Sequence, residues 1–226
     1  DIFPEGRERA FKSRYSQNAW MTQLRKAGLH TVCISPFAER HSAWHFNIGF
    51  NEIYNTGKSG QETADEVGPV VTDWIDRKGA GDDWFMHLNF WDPHTPYRTP
   101  ESYGNPFENE PIDDWLTDEM RQTHYDGFGP HSAQEPWGYF PHPNPGRYPR
   151  IPIDIRTMED YKRWIDGYDT GVKYVDDHIG QVLDSLEKQG VLDDTAIIIS
   201  GDHGENLGEL NVYGDHQTAD YITGRI

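Results

Sequence analysis

The residues best suited to chemistry stand near the end of the sequence. The run Ile197-Ile198-Ile199-Ser200-Gly201-Asp202-His203-Gly204-Glu205-Asn206-Leu207-Gly208-Glu209 places an Asp-His pair between glycines, directly after an apolar β-branched stretch. A carboxylate neutralises charge on a divalent cation and an imidazole adds a directional nitrogen, so the pair is half of a metal site. Glycines at 201 and 204 let the backbone turn closely around an ion. Read alone, the pair equally describes a turn with a capping Asp and a solvated His, the commoner meaning of so short a match.

Other reactive side chains carry less. Cys33 is the one cysteine, which excludes an internal disulfide framework and a Cys-cluster zinc site. It sits inside an apolar run, where a thiol packs rather than reacts. Gly57-Lys58-Ser59 looks like the tail of a phosphate-binding loop, but Glu52 stands where that loop needs its first glycine. His124, His131 and His142 are irregularly spaced among prolines and read as exposed residues or carbohydrate contacts, not as a zinc site. The neighbouring Trp115, Tyr125, Trp137, Tyr139 and Tyr148 read first as core, with stacking on sugar rings as the alternative.

These residues need elements to position them. Apolar spacing predicts helices over 9–27, after Gly60 with an acidic start at Glu62, Thr63 and Asp65, and over 161–188. The last carries Tyr168, Val172, Val175, Ile179, Val182, Leu183 and Leu186 on one stripe. Gly68-Pro69 is expected to bend the second. HTVCIS at 30–35, WFMHLNFW at 84–91 and TAIIIS at 195–200 read as buried strands. Helices alternating with strands predict an α/β sheet, with the Asp202-His203 loop at the carboxyl end of the TAIIIS strand, where such sheets bind ligands. From Pro93 to Pro152 the texture becomes rich in Pro, Gly, Trp, Tyr and His with little periodicity. A stretch that long inside a domain reads as a binding segment or lid at the rim of the site.

Composition narrows the function further. Twenty Lys and Arg against 38 Asp and Glu give a net charge of −18 in 226 residues. Nucleic acid is excluded as a partner, since no basic footprint exists to meet it. An anionic substrate would have to be held by local positive charge, such as a metal ion or a few Arg and His. No apolar run approaches the ~20 residues of a membrane helix, and the first residues lack the pattern of a signal peptide. Thirteen per cent aromatic residues argue for a packed chain over a disordered one.

In context, the Asp-His motif resembles that of sulfatases. Tyr168, Val172, Val175, Asp176, Ile179-Gly180, Leu183 and Leu186 follow the family's helix pattern. Gly190-Val191-Leu192-Asp193-Asp194-Thr195 then leads into the strand before the pair. Leu24-Arg25-Lys26-Ala27-Gly28-Leu29-His30-Thr31, Gly49-Phe50-Asn51-Glu52 and Phe90-Trp91-Asp92-Pro93-His94-Thr95-Pro96-Tyr97 match further segments in the family's order. Several ordered motifs are much more specific than one.

The resemblance implies an α/β fold: a sulfatase/alkaline-phosphatase-like mixed sheet with helices on both faces. Residues 1–226 would form part of the catalytic domain, with an insert at about 96–152. Asp202 and His203 are implied as ligands of a divalent metal ion, calcium foremost, with manganese, magnesium or zinc as alternatives. His94 is implied at the sulfate or its leaving oxygen, and His216 as an active-site neighbour. Where the family has a lysine in a "GKWH" turn, this sequence offers Arg40 and His41, which read equally as a surface pair. Asp215 stands where relatives often place a lysine, and an acid there repels sulfate unless a second cation intervenes. Cys33 fails the family's formylglycine signature, because its proline is Pro36 and its arginine Arg40. The formylglycine and an Asp-Asp pair are therefore expected upstream of Asp1. The implied activity is sulfuric ester hydrolysis of a sulfated small molecule or glycan. The alternatives are a phosphodiester or phosphonate monoester hydrolase of the same superfamily, or a degenerate glycan-binding relative.

Overall fold

The computed structural model describes residues 14–58, 60–81, 83–138, 143–216 and 220–224. His142 and Tyr139, and the start of the helix expected from Arg9, lie outside them. The architecture is α/β, and the chain divides into two compact units.

The first unit comprises 1–91 and 175–196. Its centre is β1 (His30–Ile34), flanked by β2 (Glu52–Tyr54) and β3 (Trp84–Leu88) in the order β2-β1-β3. Both pairings are parallel, with Val32 opposite Glu52 and Met86. A central parallel strand is covered on both faces, which accounts for its unbroken apolar reading. Alternation sorts its side chains. Val32 and Ile34 join Val67, Val71, Trp74, Ile75 and Leu186 on one side, while Cys33 joins Met21 and Phe50 on the other. Burial pushes the Cys33 thiol up to about 12, so it is an inert packing group.

The helices around this sheet refine the sequence reading. The expected 9–27 helix is two short pieces, α1 (Arg14–Asn18) and α2 (Trp20–Lys26). Ala19 between them has an extended ψ of 136°, which breaks the ladder. A short α3 (Phe37–Arg40) follows β1. The helix after Gly60 is α4 (Ala64–Lys78), with Pro69 inside it. The Glu66 carboxylate accepts from the Thr63 N–H at 3.1 Å, satisfying a first-turn donor. β2 carried too few residues to be recognised by periodicity, and β3 ends at Leu88, with the Asn89 N–H still donating to Ile34 O at 3.1 Å.

The second unit comprises 92–174 and 197–226. It contains α5 (Asp118–Asp126), the first part of α6 (Met158–Lys188) and the short α7 (Tyr221–Gly224). Tyr97, Leu116, Ala133, Trp137, Ile151, Ile155, Tyr161, Trp164 and Tyr213 form its core. The aromatic-rich stretch is therefore packed structure. Trp137 is buried with its indole N–H donating to Pro152 O at 2.7 Å, and Tyr125 and Tyr148 pack against the same core. Trp115 alone among the described aromatics of that group is exposed. In α6, Val172 of the expected buried stripe is exposed instead.

The TAIIIS strand does not form. Residues 195–201 adopt neither helix nor strand, and Ile197, Ile198 and Ile199 are exposed. A strand needs a neighbour to take its backbone hydrogen bonds, and among the described residues none lies alongside. No helix among the described residues is long and apolar enough to cross a membrane.

Candidate active site

Three separate segments of the second unit meet at a cluster of imidazoles. His94 lies between Pro93 and Pro96, and the Asp92–Pro93 and Thr95–Pro96 peptide bonds are cis. Its loop is pinned on both sides: Tyr97 is buried in the core, and Pro93 lies against Gly171 of α6, where a side-chain carbon would come within 2.6 Å. His203 follows Asp202 in the glycine-flanked loop. His216 follows Asp215 after the chain has turned through Gly208 and Gly214, both at positive φ. The rings of His203 and His216 stack at 3.8 Å and 11°, and His94 approaches His216 at 5.1 Å and His203 at 6.5 Å.

Each imidazole is oriented through Nδ1. His94 Nδ1–H donates to Thr95 O at 2.6 Å, and His203 Nδ1–H to Gly204 O at 2.8 Å. His216 Nδ1–H donates to Glu205 Oε1 at 3.3 Å. With Nδ1 so engaged, Nε2 is the nitrogen that binds a metal when the ring is neutral or gives up a proton when the ring is cationic. The hydrogen bond to Glu205 raises the pKa of His216 against the opposing effect of burial, with Asp215 and Asp202 adding to the rise. Glu205 is itself buried. Its place in the Gly-Glu-Asn run was visible in the sequence, but its pairing with a histidine 11 residues later was not.

The two histidine loops are tied by Asn206, which is fully buried. Its backbone N–H and its Nδ2 both donate to Asp215 O, at 3.1 and 3.2 Å. Nδ2 also donates to Asp220 Oδ2 at 3.1 Å, and Asn206 O accepts from Gly214 N at 2.8 Å. The proline-rich stretch supports the same loop. Tyr213 N–H donates to His131 O at 2.7 Å, the Tyr213 hydroxyl lies 3.0 Å from His124 Nδ1, and Asn211 Nδ2 donates to Gly127 O. His124 and His131 thus brace the loop.

Asp202 is exposed, its Oδ1 accepting from the His203 N–H and lying 3.8 Å from His203 Nε2. Two donors so spaced suit adjacent positions on one cation, given metal–ligand bonds of roughly 2.0–2.5 Å. Among the described residues no group of three or more His, Cys, Asp or Glu forms a metal cage. Arg40 and His41 belong to the other unit. There the Arg40 guanidinium lies over Trp91 at 4.6 Å and donates to Gly60 O, and the His41 ring lies 5.4 Å from Trp91. Asp215 is buried, its Oδ1 accepting from the His216 N–H.

A profile of the Sulfatase family matches residues 6–223. The chain belongs to the sulfatase family. Among curated proteins, this chain is 26% identical to choline-sulfatase of Rhizobium meliloti over 86% of its own length and 35% of the relative's. It is 26% identical to iduronate 2-sulfatase of Mus musculus, over 65% of this chain and 26% of that protein. With the multifunctional alkaline phosphatase superfamily protein PehA of Trinickia caryophylli the identity is 27%, over 59% and 26%. The chain thus spans about a third or less of the length of the curated relatives it matches. The family's members are hydrolases, and its alkaline-phosphatase-like α/β fold agrees with the parallel sheet and helices described above.

Proposed function

We propose that the intact protein is a metal-dependent sulfuric ester hydrolase in which His94, Asp202, His203 and His216 serve one site. The observation that carries this reading is the convergence of three histidines from distant segments onto one cluster, each with Nδ1 engaged. Asp202 and His203 would hold the divalent ion, calcium by the resemblance, with manganese, magnesium or zinc as alternatives. When bound, such an ion neutralises charge on the sulfate oxygens. His216, held toward its cationic form by Glu205, donates a hydrogen bond to the anionic ester and offsets the nearby acids. In its doubly protonated form, with Nδ1–H held by Thr95 O, His94 would give the departing oxygen the proton on Nε2. The attacking group, a formylglycine in this reading, is supplied from outside these residues. The substrate is a sulfated small molecule or glycan.

In the full-length protein, Asp202→Ala and His203→Ala should each lower kcat/KM for an aryl sulfate by about 100-fold or more, while far-UV circular dichroism stays unchanged. Near-normal turnover of both variants at saturating metal ends the proposal. A second reading, phosphodiester or phosphonate monoester hydrolysis, draws on the similarity to the multifunctional alkaline phosphatase superfamily protein. Paired aryl sulfate and aryl phosphonate assays separate the two. Glycan binding with no turnover of either would favour the degenerate relative, for which Asp215 beside His216 is the supporting feature.

A further inference from the structure

Two imidazoles have no intrinsic need to lie face to face, yet His203 and His216 stack at 3.8 Å. The cause lies in the backbone beneath them. Asn206 is fully buried, so the hydrogens of its amide need acceptors. Nδ2 carries two, and they go to Asp215 O at 3.2 Å and to Asp220 Oδ2 at 3.1 Å. The first acceptor adjoins His216. The second belongs to a third segment, 220–223. Asp220 uses its other oxygen to cap α7: Oδ1 accepts from the N–H groups of Ile222 and Thr223, both at 2.9 Å. The same segment reaches the His203 loop again, where Gly204 N–H donates to Thr223 O at 2.7 Å. A side-chain carbon at Gly204 would come within 3.1 Å of Ile222 O, so a glycine beside His203 is what lets the segment in. Gly204 and Asn206 are thus both anchored, and the residue between them is Glu205. It is buried, with Oε1 3.3 Å from His216 Nδ1.

We propose that Asn206 and Asp220 are positioning residues, a clasp that holds Glu205 against His216 and His216 against His203. Neither touches a reacting atom in the function proposed above, and both act through the two imidazoles. Their part in turnover rests on that reading, whereas their part in the geometry does not. The clasp is directional. Asn206 faces a carbonyl and a carboxylate, so it has to donate on both sides. An aspartate of the same shape would turn a buried charge toward two acceptors, one of them already negative. Asp220 has to accept on both sides, one oxygen for α7 and one for Asn206. A serine there still caps the helix, but its single short hydroxyl has nothing left for Asn206.

Ring NMR of the full-length protein, with 13C in its histidine side chains, tests the geometry. Protons above the face of a stacked ring carry an upfield shift that disappears when the stack opens. Asn206→Asp and Asp220→Ser should each move the His203 and His216 resonances together, toward those of solvated rings, and leave His178 of the other unit unchanged. Thr117→Ala separates positioning from general loss of stability. It removes the acceptor of the Met120 N–H at the start of α5 and should lower the melting temperature while both resonances stay in place. Unmoved His203 and His216 resonances in Asp220→Ser overturn the proposal, and so does an equal movement in Thr117→Ala. Asp220→Ser buries no charge, so it carries the test if Asn206→Asp does not fold. In turnover, Asp220→Ser should lower kcat/KM for an aryl sulfate by about 10–100-fold. An opened stack with unchanged kcat/KM overturns the role in the reaction. A parent enzyme that hydrolyses no sulfate ester counts against the hydrolase reading instead, and the ring resonances then decide the clasp by themselves.

Discussion

At the scale of single residues, one heavily partnered carboxylate lies in the sheet unit. Glu52 opens β2 and accepts from Lys78 at 2.6 Å, Tyr54 at 2.5 Å and the Trp74 indole at 3.3 Å, with His30 Nε2 2.5 Å away. Burial alone would raise its pKa, but the hydrogen bonds from Lys78, Tyr54 and His30 outweigh it and lower the group from 4.5 to about 2. A depressed carboxylate stabilises the fold above its unfolded pKa, and that contribution fades as pH falls through the folded value. Glu52→Gln should therefore be less stable than the parent chain at pH 7, with the two denaturation midpoints converging between pH 4.5 and about 2. A constant difference across that window would show that the network contributes nothing through charge. Glu52 was legible in the sequence only as part of a family motif. Its partners are 22 and 26 positions away at Trp74 and Lys78, and no local spacing reports them.

At the scale of elements, α6 decides how closely the His94 loop approaches. Gly167 and Gly171 are four apart, on one face of the helix. A side-chain carbon at Gly167 would meet Arg150 O at 2.8 Å, and one at Gly171 would meet Pro93 Cβ at 2.6 Å. Both glycines are there for close approach. Gly171→Leu should lose about 1–3 kcal/mol in urea denaturation through overpacking and shift the ring-proton resonances of His94. Gly180 of the same helix has no atom within 4 Å of such a carbon, so Gly180→Ala should be neutral or gain up to ~1 kcal/mol from helix propensity. Equal effects at the two sites would mean that propensity, not packing, sets the cost. The periodicity that announced α6 is local and survives reading. The failure of TAIIIS to pair is not local, because a strand exists only where another lies beside it.

At the scale of the whole molecule, the chain's one cysteine is an inert thiol, and the metal half-site at Asp202 and His203 is a proposal. Cys33 is buried with its thiol pushed up to about 12, and no formylglycine signature occurs in the sequence. The purified 226-residue chain should therefore show no hydrolysis of an aryl sulfate above background, and Cys33→Ala should change nothing. Turnover that Cys33→Ala abolishes would overturn the assignment of the nucleophile elsewhere. The sequence by itself determined the α/β class, β1, the long helix and the family, because each rests on side-chain period or on ordered motifs within short spans. It also supplied the Asp202-His203 pair, whose neighbours in the chain are its neighbours in space. Only the tertiary structure decided that His94 and His216 share a cluster with His203 while Arg40 and His41 pack beside Trp91. It likewise made the proline-rich stretch a core and a brace for the Tyr213 loop, and gave His216 its partner in Glu205. Those relations join residues through packing and hydrogen bonds across many turns of chain, and such contacts leave no period in the sequence to be read.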